Sequence, residues 1–130
     1  MQNLEISSSL ENLPKVEAMI ERVCEDLGVS EELFGNVLIA VTEAVNNAII
    51  HGNQNDINKV VGVTANKNGK GLVFTITDEG NGFDFENIPD PTAPENIEKL
   101  NGRGIFLMKN LADNVEYDLN GKKVSITFAT

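Results

Sequence analysis

The chain contains very little cysteine, histidine and basic charge. Its 130 residues include one cysteine and one histidine, and 20 Asp and Glu outnumber 10 Lys and Arg, which gives a formal net charge of −10. The lone Cys24 excludes an internal disulfide and a multi-cysteine metal site, and its place in a predicted helix indicates a packed, unreactive thiol. The acidic balance predicts repulsion from DNA, RNA and anionic membranes, so we expect proteins as macromolecular partners and no nucleic acid.

Long apolar runs are also missing. No stretch approaches the roughly 18 uninterrupted apolar residues of a membrane-spanning helix. The first five residues lack the basic and apolar regions of a signal peptide. We therefore expect no membrane association and a cytoplasmic location. The length and a hydrophobic content of 41% fit one compact domain over residues 1–130.

Capping and turn signals divide the chain into short elements. They predict strands near residues 4–8, 60–65, 71–77, 115–119 and 124–128, and helices near residues 12–27, 31–51 and 104–112. Ser9 or Asn12 is the expected cap of the first helix and Ser30 that of the second, with Gly28 and Gly52 as their ends. Residues 83–100 hold three prolines and no apolar period, which predicts a long functional loop. The fold class is an α/β (α+β) two-layer sandwich, a mostly antiparallel mixed sheet covered on one face by about three helices.

Three polar side chains interrupt the apolar second helix at four-residue intervals. This spacing stacks Glu43, Asn47 and His51 on one face, which we predict to be the inward one. An amide oxygen from Asn47 suits Mg²⁺, and Glu43 can orient or deprotonate a water or hydroxyl. The alternative is that Glu43 and Asn47 are merely hydrogen-bonded groups near a helix end. For His51, packing at the helix end is the favoured interpretation.

Two glycine-rich segments stand where a strand ends and where a helix begins. The strand near residues 71–77 runs into Asp78, Gly80 and Gly82, and glycines there permit close backbone approach. Gly102 and Gly104 precede an apolar helical run, so free N–H groups at the helix start can attract phosphate. An ordinary surface turn is the alternative for the first segment.

Rival nucleotide and metal motifs fail on spacing. Counted from Asp78, an EF-hand needs Asp or Asn at positions that hold Gly80 and Gly82. A Rossmann fingerprint needs a third glycine, but Phe85 and Leu107 stand at those places.

The order of these segments resembles a known superfamily. A Glu-x-x-x-Asn helix, an Asp-x-Gly-x-Gly turn and a Gly-x-Gly before a helix resemble the N box and the two G boxes of the GHKL ATPases, which share the Bergerat ATP-binding fold. The segment from Glu43 to Gly52 is most similar to the stand-alone bacterial anti-sigma-factor kinases, and the likeness covers nearly the whole chain. The resemblance therefore implies one histidine-kinase-like ATPase domain that uses ATP and Mg²⁺.

The resemblance also implies a role for each matched residue. Asp78 would accept a hydrogen bond from the adenine amino group, Asn47 would bind Mg²⁺, and Glu43 would be the catalytic base. The remaining matched positions would contact the nucleotide: Gly80 and Gly82 beside the base, Gly102, Arg103 and Gly104 at the phosphates, and His51 near the nucleotide.

The activity that the resemblance implies is that of a protein serine/threonine kinase. Such a kinase would sequester a sigma factor in one partner state and phosphorylate a small anti-sigma-factor antagonist in the other. Leu100 departs from the family pattern, because these kinases commonly carry a basic residue there. A nucleotide-gated binding module without kinase activity is therefore the alternative. The sequence is also compatible with a homodimer.

Overall fold

The computed structural model describes residues 2–69, 71–80, 110–118 and 122–130. Its strands are β1 (Gln2–Ser7), β2 (Val60–Asn68), β3 (Gly71–Thr77), β4 (Asn114–Asp118) and β5 (Lys123–Ala129). Its long helices are α1 (Leu13–Leu27) and α2 (Glu31–Asn47). A short 3₁₀ turn, Leu10–Asn12, precedes α1, and a π-helical turn, Ala48–Gly52, extends α2.

The five strands form one sheet in the order β1-β2-β3-β5-β4, and each neighbouring pair is antiparallel. The register places Ser7 of β1 opposite Val60 at the start of β2. On the other side of β2, Thr77 at the end of β3 lies opposite Gly62. The end of β1, the start of β2 and the end of β3 therefore meet at one edge of the sheet, and this edge carries the candidate site.

One face of the sheet packs against both helices. Strand residues alternate between buried and partly exposed positions, as the two-residue period of a half-buried strand requires. Their inward side chains and those of the helices form one apolar core, whose largest fully buried members include Phe74, Phe128, Met19, Ile20 and Ile49. This two-layer arrangement confirms the predicted sandwich.

Local signals set the ends of α1. Ser9 caps the 3₁₀ turn by accepting from the Glu11 N–H at 3.4 Å, whereas Asn12 makes no side-chain capping bond and donates to Ser7 instead. Gly28 ends the helix in the left-handed region, with φ of 63°. Its position lets the N–H groups of Gly28 and Val29 return to carbonyls of the last turn.

The second helix begins as predicted and ends differently. The Ser30 hydroxyl accepts from the Leu33 N–H at 3.1 Å, and Glu31 and Glu32 lie in the first turn, where the helix dipole favours negative charge. The predicted end at residues 51–52 is confirmed, but the last turn is π-helical. The Asn53 N–H donates to the Ala48 carbonyl, five residues back, at 2.8 Å.

The helical segment Glu31–Gly52 is long and apolar enough, by length and composition, to cross a membrane. Its valines Val37, Val41 and Val45, with Ile49 from the π turn, expose no surface. Part of the apolar side chains that make this segment membrane-like therefore fill the core beneath the sheet, whereas Ile39 is 45% exposed.

The remaining predicted elements fall partly outside the described residues. The closing strands are confirmed as β4 and β5. Most of the predicted helix at residues 104–112, the loop at residues 83–100 and the turn between β4 and β5 lie outside the described ranges.

Two glycine substitutions should change stability in opposite directions. Neither Gly28 nor Gly35 has an atom within 4 Å of where a Cβ would stand, so backbone conformation decides the outcome. Gly28→Ala forces alanine into the left-handed region and should lower the free energy of unfolding by about 1 kcal/mol. Gly35→Ala lies within α2 and should raise it by about 0.5–1 kcal/mol. Urea titration of both variants checks the pair, and equal effects of the same sign would contradict it.

Candidate functional site

The candidate site forms where the end of α2 meets the turn after β3. A Cβ on Gly80 would overlap the Gly52 carbonyl, and a Cβ on Gly52 would overlap the Asp78 carboxylate. The backbones of the two elements are therefore in direct contact at a pair of glycines. At Gly80 no other residue type fits without displacing the Gly52 backbone, and at Gly52 a larger residue would have to displace the Asp78 side chain.

Asp78 is held at this contact by hydrogen bonds to backbone groups. Its N–H donates to the Lys122 carbonyl at 2.9 Å, and its Oδ1 accepts from the Gly80 N–H at 2.8 Å. Burial raises the pKa of the Asp78 carboxyl, although the Gly80 N–H and the charges of Lys122 and Lys59 act in the opposite direction. The result is a half-buried carboxylate whose Oδ2 can accept a hydrogen bond from a ligand.

The side chain of Asn53 connects the segments that meet at this junction by hydrogen bonds. It is 1% exposed, and its amide uses both ends. Nδ2 donates to the Ser8 hydroxyl at 2.8 Å and to the Val60 carbonyl at 3.0 Å, while Oδ1 accepts from the Glu79 N–H at 2.8 Å. Ser8 is buried as well and donates its hydroxyl to the Lys59 carbonyl at 2.7 Å.

Asn53 and Ser8 are site residues that the sequence did not predict. The one available signal was the position of Asn53 directly after the helix-ending Gly52, where a polar residue is common and needs no explanation. Nothing in the sequence indicated that Asn53 would be buried between two strand ends.

A second bond fixes the same turn from the other side. The Glu79 carboxylate accepts from the Val60 N–H at 2.6 Å, so the side chain of Glu79 is tied to the start of β2 while its backbone N–H is tied to Asn53. The turn that carries Asp78 is thus located relative to the sheet edge as well as to α2.

Glu43 and Asn47 lie at the border of the buried face of α2, so the predicted inward orientation is met only in part. Both side chains are half-buried, whereas Ala44 and Ala48, one position further on, are buried. Each residue turns by about 100° from its neighbour, so the core-facing stripe lies one position away from the Glu43–Asn47 line. Asn47 nevertheless has a buried Nδ2 with no hydrogen-bond partner among the described residues.

His51 is exposed, so the interpretation as a packed helix-end residue was wrong. The π turn adds one residue to the last turn of the helix and rotates His51 away from the line of Glu43 and Asn47. Contact of His51 with a nucleotide stays a prediction.

Five of the predicted site residues lie within the described ranges: Glu43, Asn47, His51, Asp78 and Gly80. The structure brings Asp78 and Gly80 together with Gly52. Gly82, Gly102, Arg103 and Gly104 lie outside the described residues. Within the described ranges, no group of three or more His, Cys, Asp and Glu side chains could hold a metal ion.

Comparison with known proteins identifies the family. Residues 6–128 match the model of the histidine kinase-like ATPase domain. The chain belongs to the histidine kinase-like ATPase family. Membership of this family implies use of ATP.

Two similar proteins have names that state a function. The chain is 32% identical over 117 residues to the anti-sigma F factor of Shouchella clausii (strain KSM-K16), a match covering 88% of this chain and 80% of that protein. It is 31% identical over 100 residues to the serine-protein kinase RsbW of Oceanobacillus iheyensis, covering 72% of this chain and 63% of that protein. These relatives confirm the predicted family and the kinase class.

Solved structures support the fold. The crystal structure of the RsbU and RsbW domains of a Mycobacterium tuberculosis protein matches 98% of this chain with a TM-score of 0.66 at 15% identity, and this chain spans 31% of that one. The histidine kinase domain of an Erythrobacter litoralis blue-light activated histidine kinase matches 90% of this chain with a TM-score of 0.55 at 19% identity, and this chain spans 58% of it.

The glycine contact predicts that Gly52→Ala weakens ATP binding. The new methyl group would displace the Asp78 carboxylate, which should cost about 1–3 kcal/mol of ATP affinity and stability together. Calorimetric titration with ATP and urea unfolding measure the two effects. The matched control is Gly62→Ala in β2, where nothing lies within 4 Å of the added Cβ. Parent-like ATP affinity in Gly52→Ala would show that the contact is dispensable.

The raised pKa of Asp78 predicts a pH-dependent gain from Asp78→Asn. The folded state favours the protonated carboxyl, so the contribution of Asp78 to stability is present below its ordinary pKa of 3.8 and is lost as the pH rises through the higher folded-state pKa. The unliganded Asn variant should therefore become more stable than the parent as the pH rises from about 4 to about 7. Urea unfolding across this range measures the difference. A parent protein that is the more stable of the two near neutral pH would contradict the prediction.

Proposed function

We propose that the chain is a protein serine/threonine kinase that binds Mg²⁺-ATP at the junction of α2 and the turn after β3. Its acceptor would be a serine or threonine of a small anti-sigma-factor antagonist, and in its other partner state it would sequester a sigma factor. The observation that carries the proposal is the Asp78 carboxylate, which is half-buried and fixed by Gly80 at the end of the helix that bears Glu43 and Asn47.

The chemistry of Asp78 supports an adenine reader. With Oδ1 engaged by the Gly80 N–H, Oδ2 is the oxygen that can accept from the exocyclic amino group of adenine. Guanine presents a carbonyl oxygen at the corresponding position, and that oxygen would be repelled by the carboxylate. Gly52 and Gly80, which meet at this end of the site, themselves carry no side chain that would obstruct a flat base.

Asn47 fits a metal ligand. Its buried Nδ2 has no partner among the described residues, and rotation of the side-chain amide by 180° would present Oδ1 at the same place. Mg²⁺ in nucleotide sites is commonly held by one or two protein groups together with phosphate oxygens, which suits a lone amide. When bound, the ion supplies charge neutralisation at the phosphates.

Glu43 is proposed as the base that receives the proton of the attacking hydroxyl. It lies one helical turn before Asn47 at the same border of α2, and its half-buried position leaves it within reach of solvent and substrate. Phosphate contacts by Gly102, Arg103 and Gly104, and base contacts by Gly82, are proposed from the sequence alone.

The protein partners are proposed from the relatives and from charge. Similar proteins are named as an anti-sigma factor and a serine-protein kinase, and a net charge of −10 disfavours nucleic acid. A cytoplasmic location belongs to the same proposal, which is compatible with a homodimer. Leu100, where the family commonly has a basic residue, favours one alternative, a nucleotide-gated binding module without kinase activity.

Two substitutions on α2 separate kinase from binding module. Glu43→Gln keeps the side-chain shape but removes the proton acceptor, so ATP should still bind while phosphoryl transfer falls by roughly 10²–10⁴-fold. Asn47→Ala removes the proposed metal ligand, so Mg²⁺-ATP affinity and transfer should fall together. Incorporation of labelled phosphate into a candidate antagonist is measured beside nucleotide binding on the same preparations.

The matched control for Glu43→Gln is Glu32→Gln, the same change at an exposed position near the start of α2, which should behave as the parent. A parent protein that binds Mg²⁺-ATP but labels no antagonist, with Glu43→Gln indistinguishable from it in partner binding, would overturn the kinase proposal in favour of the binding module.

A further inference from the structure

We propose that Asn53 is a positioning residue for nucleotide recognition: its side-chain amide fixes the turn from which Asp78 meets the base. Asn53 does not itself touch the nucleotide in this scheme. The inference rests on the proposed ATP site, because it assigns to Asn53 control over the preference of that site for an adenine amino group.

The amide of Asn53 is committed to the protein. Both ends are engaged, by two donated hydrogen bonds and one accepted bond, and the side chain is 1% exposed. A buried amide with its partners removed is costly, so the three bonds hold the side chain in one orientation. Its oxygen is therefore a fixed point to which the neighbouring turn is attached.

The accepted bond acts directly on the backbone of Asp78. The N–H of Glu79 belongs to the peptide unit that begins at Asp78, so the bond to Asn53 Oδ1 restricts ψ of Asp78. The other restraints on Asp78 involve its own N–H, which donates to the Lys122 carbonyl, and its Oδ1, which accepts from the Gly80 N–H. The Asn53 bond is the restraint that acts directly on the Glu79 N–H, and a substitution can remove it while the bond of the Glu79 carboxylate to the Val60 N–H stays.

The donated bonds anchor Asn53 to the sheet edge. Ser8 follows β1 and Val60 begins β2, and the register places these two strand ends side by side. The Asn53 backbone N–H donates to Ala48, so the same residue also ends the π turn of α2. One residue thus sets the turn after β3 relative to both the helix and the sheet, and this alignment brings Gly80 against Gly52.

Release of the turn should send the Asp78 carboxylate toward water. Burial of this carboxylate opposes its charged form, so the unliganded protein gains by exposing it once the restraint on Glu79 is lost. A solvated, mobile carboxylate contributes less to adenine binding, because it loses conformational freedom each time a ligand binds.

The test compares ATP with purine riboside triphosphate, which lacks the 6-amino group that Asp78 is proposed to bind. In the parent, ATP should bind more tightly than the analogue. Asn53→Ala should lower ATP affinity by roughly tenfold to hundredfold and change the affinity for the analogue much less, so the preference collapses. A residue that merely supports the fold would weaken both ligands equally.

Ser8→Ala is the matched control. It removes one hydrogen bond of the Asn53 Nδ2 and the bond from the Ser8 hydroxyl to the Lys59 carbonyl. The bonds of Nδ2 to the Val60 carbonyl and of Oδ1 to the Glu79 N–H stay. It should lower stability without reducing the preference for ATP. Asn53→Asp keeps an oxygen acceptor for Glu79 and should retain much of the preference, although its lost donors cost stability.

Amide hydrogen exchange of the unliganded parent keeps the test valid if Asn53→Ala does not fold. The Glu79 amide should be protected to the level of its β3 neighbours because it donates to a buried acceptor. Rapid exchange of Glu79 in the parent would overturn the inference. Unchanged preference in folded Asn53→Ala, or equal weakening of both ligands, would overturn it while the ATP site stands. A parent without preference for ATP over the analogue would remove the adenine role of Asp78, and the inference with it.

Discussion

The buried side-chain amide of Asn53 is the constraint on which the rest of the site depends. It forms hydrogen bonds with Ser8, which lies 45 residues before Asn53 in the chain, and with Glu79, which lies 26 residues after it. A buried amide needs hydrogen-bond partners at both of its ends. The Asn53 side chain therefore favours the one arrangement of the two strand ends and the turn that supplies these partners. Once they are so arranged, the Gly52–Gly80 contact closes and the Asp78 carboxylate has a defined place.

In the proposed ATP site, function and stability make opposite demands at Asp78. The fold would be better served by a neutral side chain in this half-buried position, since burial opposes the charge. A side chain that recognises an amino group must be a fixed and partly desolvated hydrogen-bond acceptor. Full exposure to solvent would remove both properties. Lys59 and Lys122 offset part of the cost of burial, so this strongly acidic domain carries local positive charge near the Asp78 carboxylate.

Much of the architecture could be predicted because local rules agreed with one another. Ser30 caps α2, Gly28 ends α1 in the left-handed region, and the alternating apolar residues of β3 and β5 face the core. The helix face was predicted less well. A four-residue spacing places Glu43, Asn47 and His51 on one line of a regular α-helix, but it does not say which line faces the sheet. The residues that face the sheet are those of the more apolar stripe through Val37, Val41 and Val45. The π turn then removed His51 from the line altogether.

The sequence by itself determined the family, because the order and spacing of a polar helix and glycine-rich turns are properties of the linear chain. It also determined Asp78 and Asn47 as candidates, because carboxylate and amide groups in such places are chemically distinctive. Only the tertiary structure decided that Gly52 and Gly80 touch and that Asn53 and Ser8 are buried. The physical reason is that burial and contact depend on segments far apart in the chain. A polar residue after a helix looks like surface until the strand ends that enclose it are in place.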